Sequence, residues 1–109
     1  MFAIRATYIP RDDMYFDKEY YMSHHMPLAK QLLKDQVNYI SMHAEFNSCV
    51  MMNETELRSP AVFVLTVESE SDVDDFNTFR RSDNVIPLRE DIKNYTNCIP
   101  EWTVAELTS

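Results

Sequence analysis

The sequence predicts an α+β fold of the split βαβ, ferredoxin-like type. The order is β-α-β-β-α-β, with a four-stranded antiparallel sheet and both helices on one face. Three observations carry this reading. Segments with the two-residue period of a strand and the 3.6-residue period of a helix succeed one another in that order. Residues 61–67, Ala-Val-Phe-Val-Leu-Thr-Val, are apolar almost without interruption, as in a central strand covered on both faces. The 109 residues suffice for one hydrophobic core, hence a single domain over 1–109.

Residues 2–9 are rich in β-branched and aromatic side chains and form the first strand, which Pro10 ends. A polar turn at Arg11-Asp12-Asp13 follows, where Asp12 or Asp13 would cap a helix over roughly 13–33. Residues 34–37 are a short connection. In residues 38–46, Ile40, Met42, Ala44 and Phe46 alternate with Tyr39, Ser41, His43 and Glu45, giving a strand with one apolar face. Residues 47–60 read as a long loop, with Met51 and Met52 as a lid or a solvated tip. The third strand is 61–67. A second helix starts at Ser71, with Asp74 completing a capping box and Val73, Phe76 and Phe79 on its apolar side. Residues 82–97 are helical or irregular around Pro87, and 98–107 form the last strand.

The third strand is apolar on both faces, while helices can cover only one. A second copy of the chain is the simplest cover, so a homodimer with facing sheets is expected.

Composition removes several function classes. Eighteen acidic against ten basic residues give a net charge of −8, which argues against a nucleic-acid partner or an anionic membrane surface. No apolar run reaches the roughly 18–20 residues of a membrane span. The N-terminal residues lack the basic-then-apolar pattern of a secretion signal, and Cys49 and Cys98 are too few and too far apart for a disulfide framework or zinc knuckle. A cytoplasmic protein with two free thiols is expected. There is no glycine. Phosphate-cradling loops and dinucleotide turns need glycine for close backbone approach or positive φ, so nucleotide sites of those kinds are excluded. Flavin, haem, nicotinamide and metal are not expected as cofactors. Tight turns must use other residues, and Asn47, Asn53, Asn84, Asn94 and Asn97 are the candidates for left-handed backbone.

Chemistry concentrates in residues 16–33. Pro27 interrupts a helical pattern directly after His24, His25 and Met26, and so forces a kink or costs about 3 kcal/mol. At 100° per residue Tyr21, His25, Leu28 and Leu32 share one stripe, which points an imidazole and a phenol toward the core. Histidine suits proton transfer because its ordinary pKa of about 6.5 is near working pH. His25 is therefore the candidate general acid/base with Tyr21 as its partner; the competing role is a buried histidine that satisfies a carbonyl freed by the kink. His24 lies about 100° around the helix and belongs to the flank. Adjacent histidines diverge on a helix and no carboxylate stands at a zinc-like spacing, so no metal site is expected. Arg5, mid-strand among apolar neighbours, must be paired: with Glu45 or Glu106, or with an anionic ligand.

Phe16, Asp17, Tyr20, Tyr21, His25, Met26, Pro27 and Leu28 fit in register a pattern close to FDxxYYxxxHMPL, and the chain here resembles the EthD family of small dimeric α+β barrel proteins. Asp91-Ile92, Asn94-Tyr95-Thr96, Pro100 and Glu106 are similar to the family's C-terminal stretch. The resemblance implies a dimeric α+β barrel and a cofactor-free enzyme acting by acid/base chemistry on a hydrophobic aromatic, polyketide-like or ether-derived molecule, as isomerase, dehydratase, decarboxylase or oxygenase. The alternative is a non-catalytic binding protein or an accessory to a partner oxygenase. Tyr20, Leu28, Arg5, Tyr95 and Trp102 are the expected substrate-binding residues, with core packing as the competing role for Trp102.

Overall fold

The computed structural model describes residues 1–108 (for residue 54, the backbone). Strands β1 (Phe2–Tyr8), β2 (Ser41–Val50), β3 (Asn53–Val67) and β4 (Pro100–Glu106) form one sheet in the order β2-β3-β1-β4, every pairing antiparallel. Helix α1 spans residues 18–33, α2 is Glu70–Arg81 and α3 is Ile86–Asp91, the last flanked by short 3-10 turns at Asp83–Val85 and Ile92–Asn94. The β-α-β-β-α-β order and the α+β class are those expected. Among the described residues no helix is long and apolar enough to cross a membrane.

Alternation decides what each strand buries. Ile4, Ala6 and Tyr8 of β1, Met42, Ala44 and Phe46 of β2, and Ala61, Phe63, Leu65 and Val67 of β3 meet the helices in one core. Tyr21, Met26 and Leu33 of α1 and Phe76 and Phe79 of α2 supply the opposing layer. The other face of β3 is buried as well, with Val64 only 2 % exposed. Arg5 stands opposite Val64 and Glu45 opposite Val62, so the 2.9 Å Arg5–Glu45 ion pair reaches across β3 on that side. The aliphatic stem of the arginine screens apolar surface there. On that face the run is screened by side chains of its own sheet and not by a helix.

The helix boundaries differ from the expected ones in instructive ways. Helix α1 starts at Lys18, not near residue 13, because the Asp17 carboxylate accepts from the Tyr20 N–H at 3.0 Å and caps it. In α2 the capping box is Ser69 with Asp72, not Ser71 with Asp74: Ser69 accepts from the Asp72 N–H and Asp72 from the Ser69 N–H. Asn47 is the one described non-glycine residue at positive φ (53°), so the other four asparagines turn the chain without it.

The segment 47–60 is not a loop. Strands β2 and β3 run on past the core as a hairpin that closes through Met51 and Met52 between Val50 and Asn53. Ser59 and Pro60 at its base are buried, whereas both methionines at its tip are exposed. Most side chains beyond residue 46 face solvent on both sides of the ribbon, which removes the apolar alternation that marks a strand.

The Ser69 cap predicts a stability difference. Ser69→Ala should destabilise the fold by about 1 kcal/mol in urea unfolding, the usual cost of a lost N-cap, while Ser71→Ala should change it little.

Candidate active site

Pro27 has no N–H to donate, and the turn before it is wider than an α-turn. Residues Tyr21–His25 are π-helical, and the Met26 N–H donates to the Tyr21 carbonyl, five residues back. Such a bulge inserts one extra residue into the helix. Tyr21 stacks on His25 (centroids 5.1 Å apart, planes at 24°), and Tyr20 on His24 (4.6 Å, 9°). The bulge also moves the buried stripe by one residue. Tyr21 and His25 are followed by Ala29 and Leu33, not by Leu28 and Leu32.

This shift decides what lines the cavity between α1, the sheet and α2–α3. Its volume is about 360 Å³, and its walls include Tyr8, Tyr21, His25, Phe63, Phe76 and Trp102. Ala29 and Leu33 line it, while Leu28 is half-buried outside it, a correction to the expected ligand contact.

His25 is 7 % exposed and joins two partners. Its Nδ1 lies 2.9 Å from Asp91 Oδ2, at the end of α3, and its Nε2 lies 3.3 Å from the Tyr95 hydroxyl. Asp91 also accepts from the Tyr20 hydroxyl at 2.7 Å and from Asn94 Nδ2 at 3.0 Å, both on Oδ1. A carboxylate at Nδ1 takes the Nδ1–H and leaves Nε2 with its lone pair. The Tyr95 and Tyr8 hydroxyls are 2.5 Å apart, so a hydrogen-bonded line runs from Tyr8 in the cavity wall through Tyr95 to Nε2. Tyr95 is wholly buried behind that wall. The Tyr21 hydroxyl is buried with no hydrogen-bond partner among the described residues.

The electrostatics single out the imidazole. Burial pushes the Tyr8, Tyr21 and Tyr95 phenols well above their ordinary value, so each stays protonated and can donate, accept or relay but does not serve as an anionic base. Tyr20 is raised chiefly by its bond to the Asp91 carboxylate. Burial holds His25 below its ordinary 6.5, against the opposing pull of Asp91. For Asp91 itself burial acts upward, but donation from Tyr20, Asn94 and His25 prevails and lowers it. A neutral imidazole whose Nε2 lone pair faces the Tyr95 hydroxyl is the base of this cluster.

The expected site residues divide accordingly. His25 and Tyr21 lie side by side on the cavity wall, and Trp102 stands at the wall 39 % exposed, not in the core. Tyr20 and Tyr95 hold the imidazole through Asp91 and Nε2. Arg5 is on the opposite face of the sheet, paired with Glu45, and is no part of the cavity; this corrects its assignment to the ligand. His24 is exposed, its Nδ1 2.8 Å from Ser23 Oγ. Sequence reasoning gave no site role to Tyr8, or to Asp91, which entered only as a position of the C-terminal resemblance. Asp91 lies 66 residues from His25, and Tyr8 reads as one more apolar-face residue of a strand. Among the described residues no three His, Cys, Asp or Glu side chains converge to hold a metal ion.

An α+β domain with a His–Asp pair on the wall of an apolar cavity is the class of molecule this geometry defines. No protein-family model matches the chain, and no curated protein sequence does. Solved structures do. An EthD-like protein from Ralstonia eutropha JMP134 superposes with a TM-score of 0.78 at 18 % identity, over 99 % of this chain and 92 % of that one. An ethyl tert-butyl ether D (EthD) family protein from Bacillus halodurans C-125 gives 0.61 at 15 %, over 99 % of each chain. An antibiotic biosynthesis monooxygenase gives 0.50 at 10 %, over the full length of both. The chain has the EthD-like fold that its helix motif leads one to expect.

The lowered histidine and carboxylate make stability sensitive to acid. Between 6.5 and the lower folded value of His25 the unfolded chain binds the extra proton, so stability falls as pH drops through that window. Asp91 adds a second loss at lower pH, below about 3.9. Urea unfolding at pH 7.5 and 5.5 should show the first loss in the native chain, and His25→Gln should flatten it.

Proposed function

We propose that the chain is an enzyme that transfers a proton on a hydrophobic, ring-sized molecule, with His25 as general base. The carrying observation is the His25–Asp91 pair with Nε2 free of a carboxylate on an apolar cavity wall. The EthD-like fold, shared with a protein described as a monooxygenase of antibiotic biosynthesis, supports a small-molecule role.

Nε2 removes a proton from an acidic C–H or O–H of the bound molecule, and the bonding electrons stay on the substrate. Asp91 stabilises the imidazolium that forms, and the bonds from Tyr20 and Asn94 keep the carboxylate in place. Negative charge that develops on a substrate oxygen is met by the Tyr21 hydroxyl, a donor with no protein partner, whose satisfaction lowers the cost of leaving it buried. The imidazolium returns the proton to a different atom, directly or through Tyr95 and Tyr8. The outcome is an isomer, or an elimination where protonation expels a leaving group. Proton transfer of this kind needs a base and donors, and the cluster contains both.

The sheet face opposite the helices is proposed as the contact between two copies, since the helices of the chain all pack on the other side. Sedimentation at micromolar concentration should then give a dimer; a 12.9 kDa species alone would remove this part of the proposal.

Once a substrate is in hand, His25→Gln should lower turnover by about 10²–10⁴, the range for losing a general base, and His24→Gln far less. Tyr21→Phe should lower turnover without lowering the melting temperature, because it deletes a buried hydroxyl that has no partner. Undiminished turnover in the His25 variant, with ligand still bound, would leave the binding-protein role in place of the catalytic one.

A further inference from the structure

The cavity wall carries two guanidinium groups and, among the described residues, no carboxylate. Arg80, half-buried at the end of α2, and Arg89, exposed on α3, both line it. Neither forms an ion pair among the described residues; the ion pairs there are Arg5–Glu45, Arg11–Asp13, His25–Asp91 and Arg58–Glu56. In a chain with eighteen acidic side chains to ten basic ones, two arginines lining an apolar hollow, with no carboxylate in ion-pair range of either among the described residues, set the wall apart from the rest of the surface. Part of their role is structural. Arg89 Nη2 donates to the Arg80 carbonyl at 3.3 Å in the last turn of α2, and Arg80 Nη2 to Asn77 Oδ1 at 3.3 Å. These bonds use one donor of the five on each guanidinium and anchor both groups, so binding an anion need not order them afresh.

We propose that the ligand of this cavity is an amphiphilic anion: a ring body packed against Phe63, Phe76, Phe79 and Trp102, and a carboxylate held by Arg80 and Arg89. This rests on the proton-transfer reading for the site and adds its substrate class. The burial gradient sets the direction. His25 and Tyr21 are buried and Arg89 is exposed, so the carboxylate lies toward solvent and the reacting end of the ring toward the imidazole. A planar carboxylate matches the guanidinium fork, and pairing beside apolar walls is less screened than at open surface. Net charge of −8 repels organic anions at long range, so selection for one must come from these two side chains.

The test is a binding experiment that needs no natural substrate. 8-Anilinonaphthalene-1-sulfonate is loaded into the cavity, with energy transfer from Trp102, the chain's single tryptophan, as the report of occupancy. It is then displaced by 1-naphthoate, 1-naphthyl phosphate or the neutral 1-naphthalenemethanol. Naphthoate should displace it at about tenfold lower concentration than the alcohol, or better, as hydrogen bonds to a charged group imply. Added salt should weaken naphthoate and leave the alcohol unchanged. R80Q/R89Q should abolish the preference while alcohol binding, which reports an intact cavity, persists. If that variant fails to fold, R80K/R89K should keep charge and salt dependence but bind naphthoate more weakly. Equal displacement by acid and alcohol, or full preference in R80Q/R89Q, would overturn the proposal, and stronger displacement by the phosphate would overturn the choice of carboxylate. His25→Gln should keep the preference for naphthoate. Loss of turnover in that variant and loss of anion preference in the arginine variants are therefore separate results.

Discussion

One carboxylate holds the site together. Asp91 accepts from Tyr20 on α1, from His25 one turn further along the same helix, and from Asn94 just beyond α3. Charge-assisted bonds of this kind are about twice as strong as neutral ones, and here they join two segments more than sixty residues apart. The join is reinforced by backbone: the Asp17 N–H donates to the Tyr95 carbonyl at 2.7 Å, and Thr96 Oγ1 donates to the Tyr15 carbonyl at 2.7 Å. The start of α1 and the approach to β4 therefore move as one piece. The imidazole, the relay phenol and the carboxylate all sit on that piece.

The wide turn before Pro27 matters for a different reason. A regular helix would bury Leu28 and Leu32 below His25, both bulky. The inserted residue brings Ala29 and Leu33 under it instead, and the small Ala29 side chain leaves room in the cavity. Proline thus shapes the site indirectly, by the phase of the helix that follows it. The same turn brings the rings of Tyr21 and His25 face to face, which fixes the imidazole plane from one side while Asp91 fixes it from the other.

Much of the fold was legible in sequence because its core obeys simple periods. The alternation of Met42, Ala44 and Phe46, the apolar run at 61–67 and the stripe of Phe76 and Phe79 each name a buried face, and their order selects the topology. The outer hairpin was not legible, since a ribbon that is wet on both faces keeps the backbone pattern of a strand without the side-chain pattern. In the site, Tyr21 and His25 could be found because helix geometry and a motif place them together. Asp91 stood in the C-terminal resemblance without a role: its partners come from another element, and a single aspartate near a helix end looks like any solvated acid. Arg5 was legible as a residue in need of a partner, but which face of β1 it occupies depends on register. One residue of phase in that strand would have turned it into the cavity.

The backbone has a consequence for the other side of the folding equilibrium. Only Asn47, among the described residues, adopts a left-handed conformation, so the native turns make almost no demand that glycine alone could meet. A chain with no glycine samples fewer conformations when denatured, and it gives up less freedom when it orders. At positions with compatible geometry, replacing a glycine by a residue with a side chain is worth about 0.4–1 kcal/mol through the denatured ensemble alone. A domain of this size with average composition would carry roughly seven or eight glycines. Their absence gives the small core a stabilisation that no contact in the folded molecule displays.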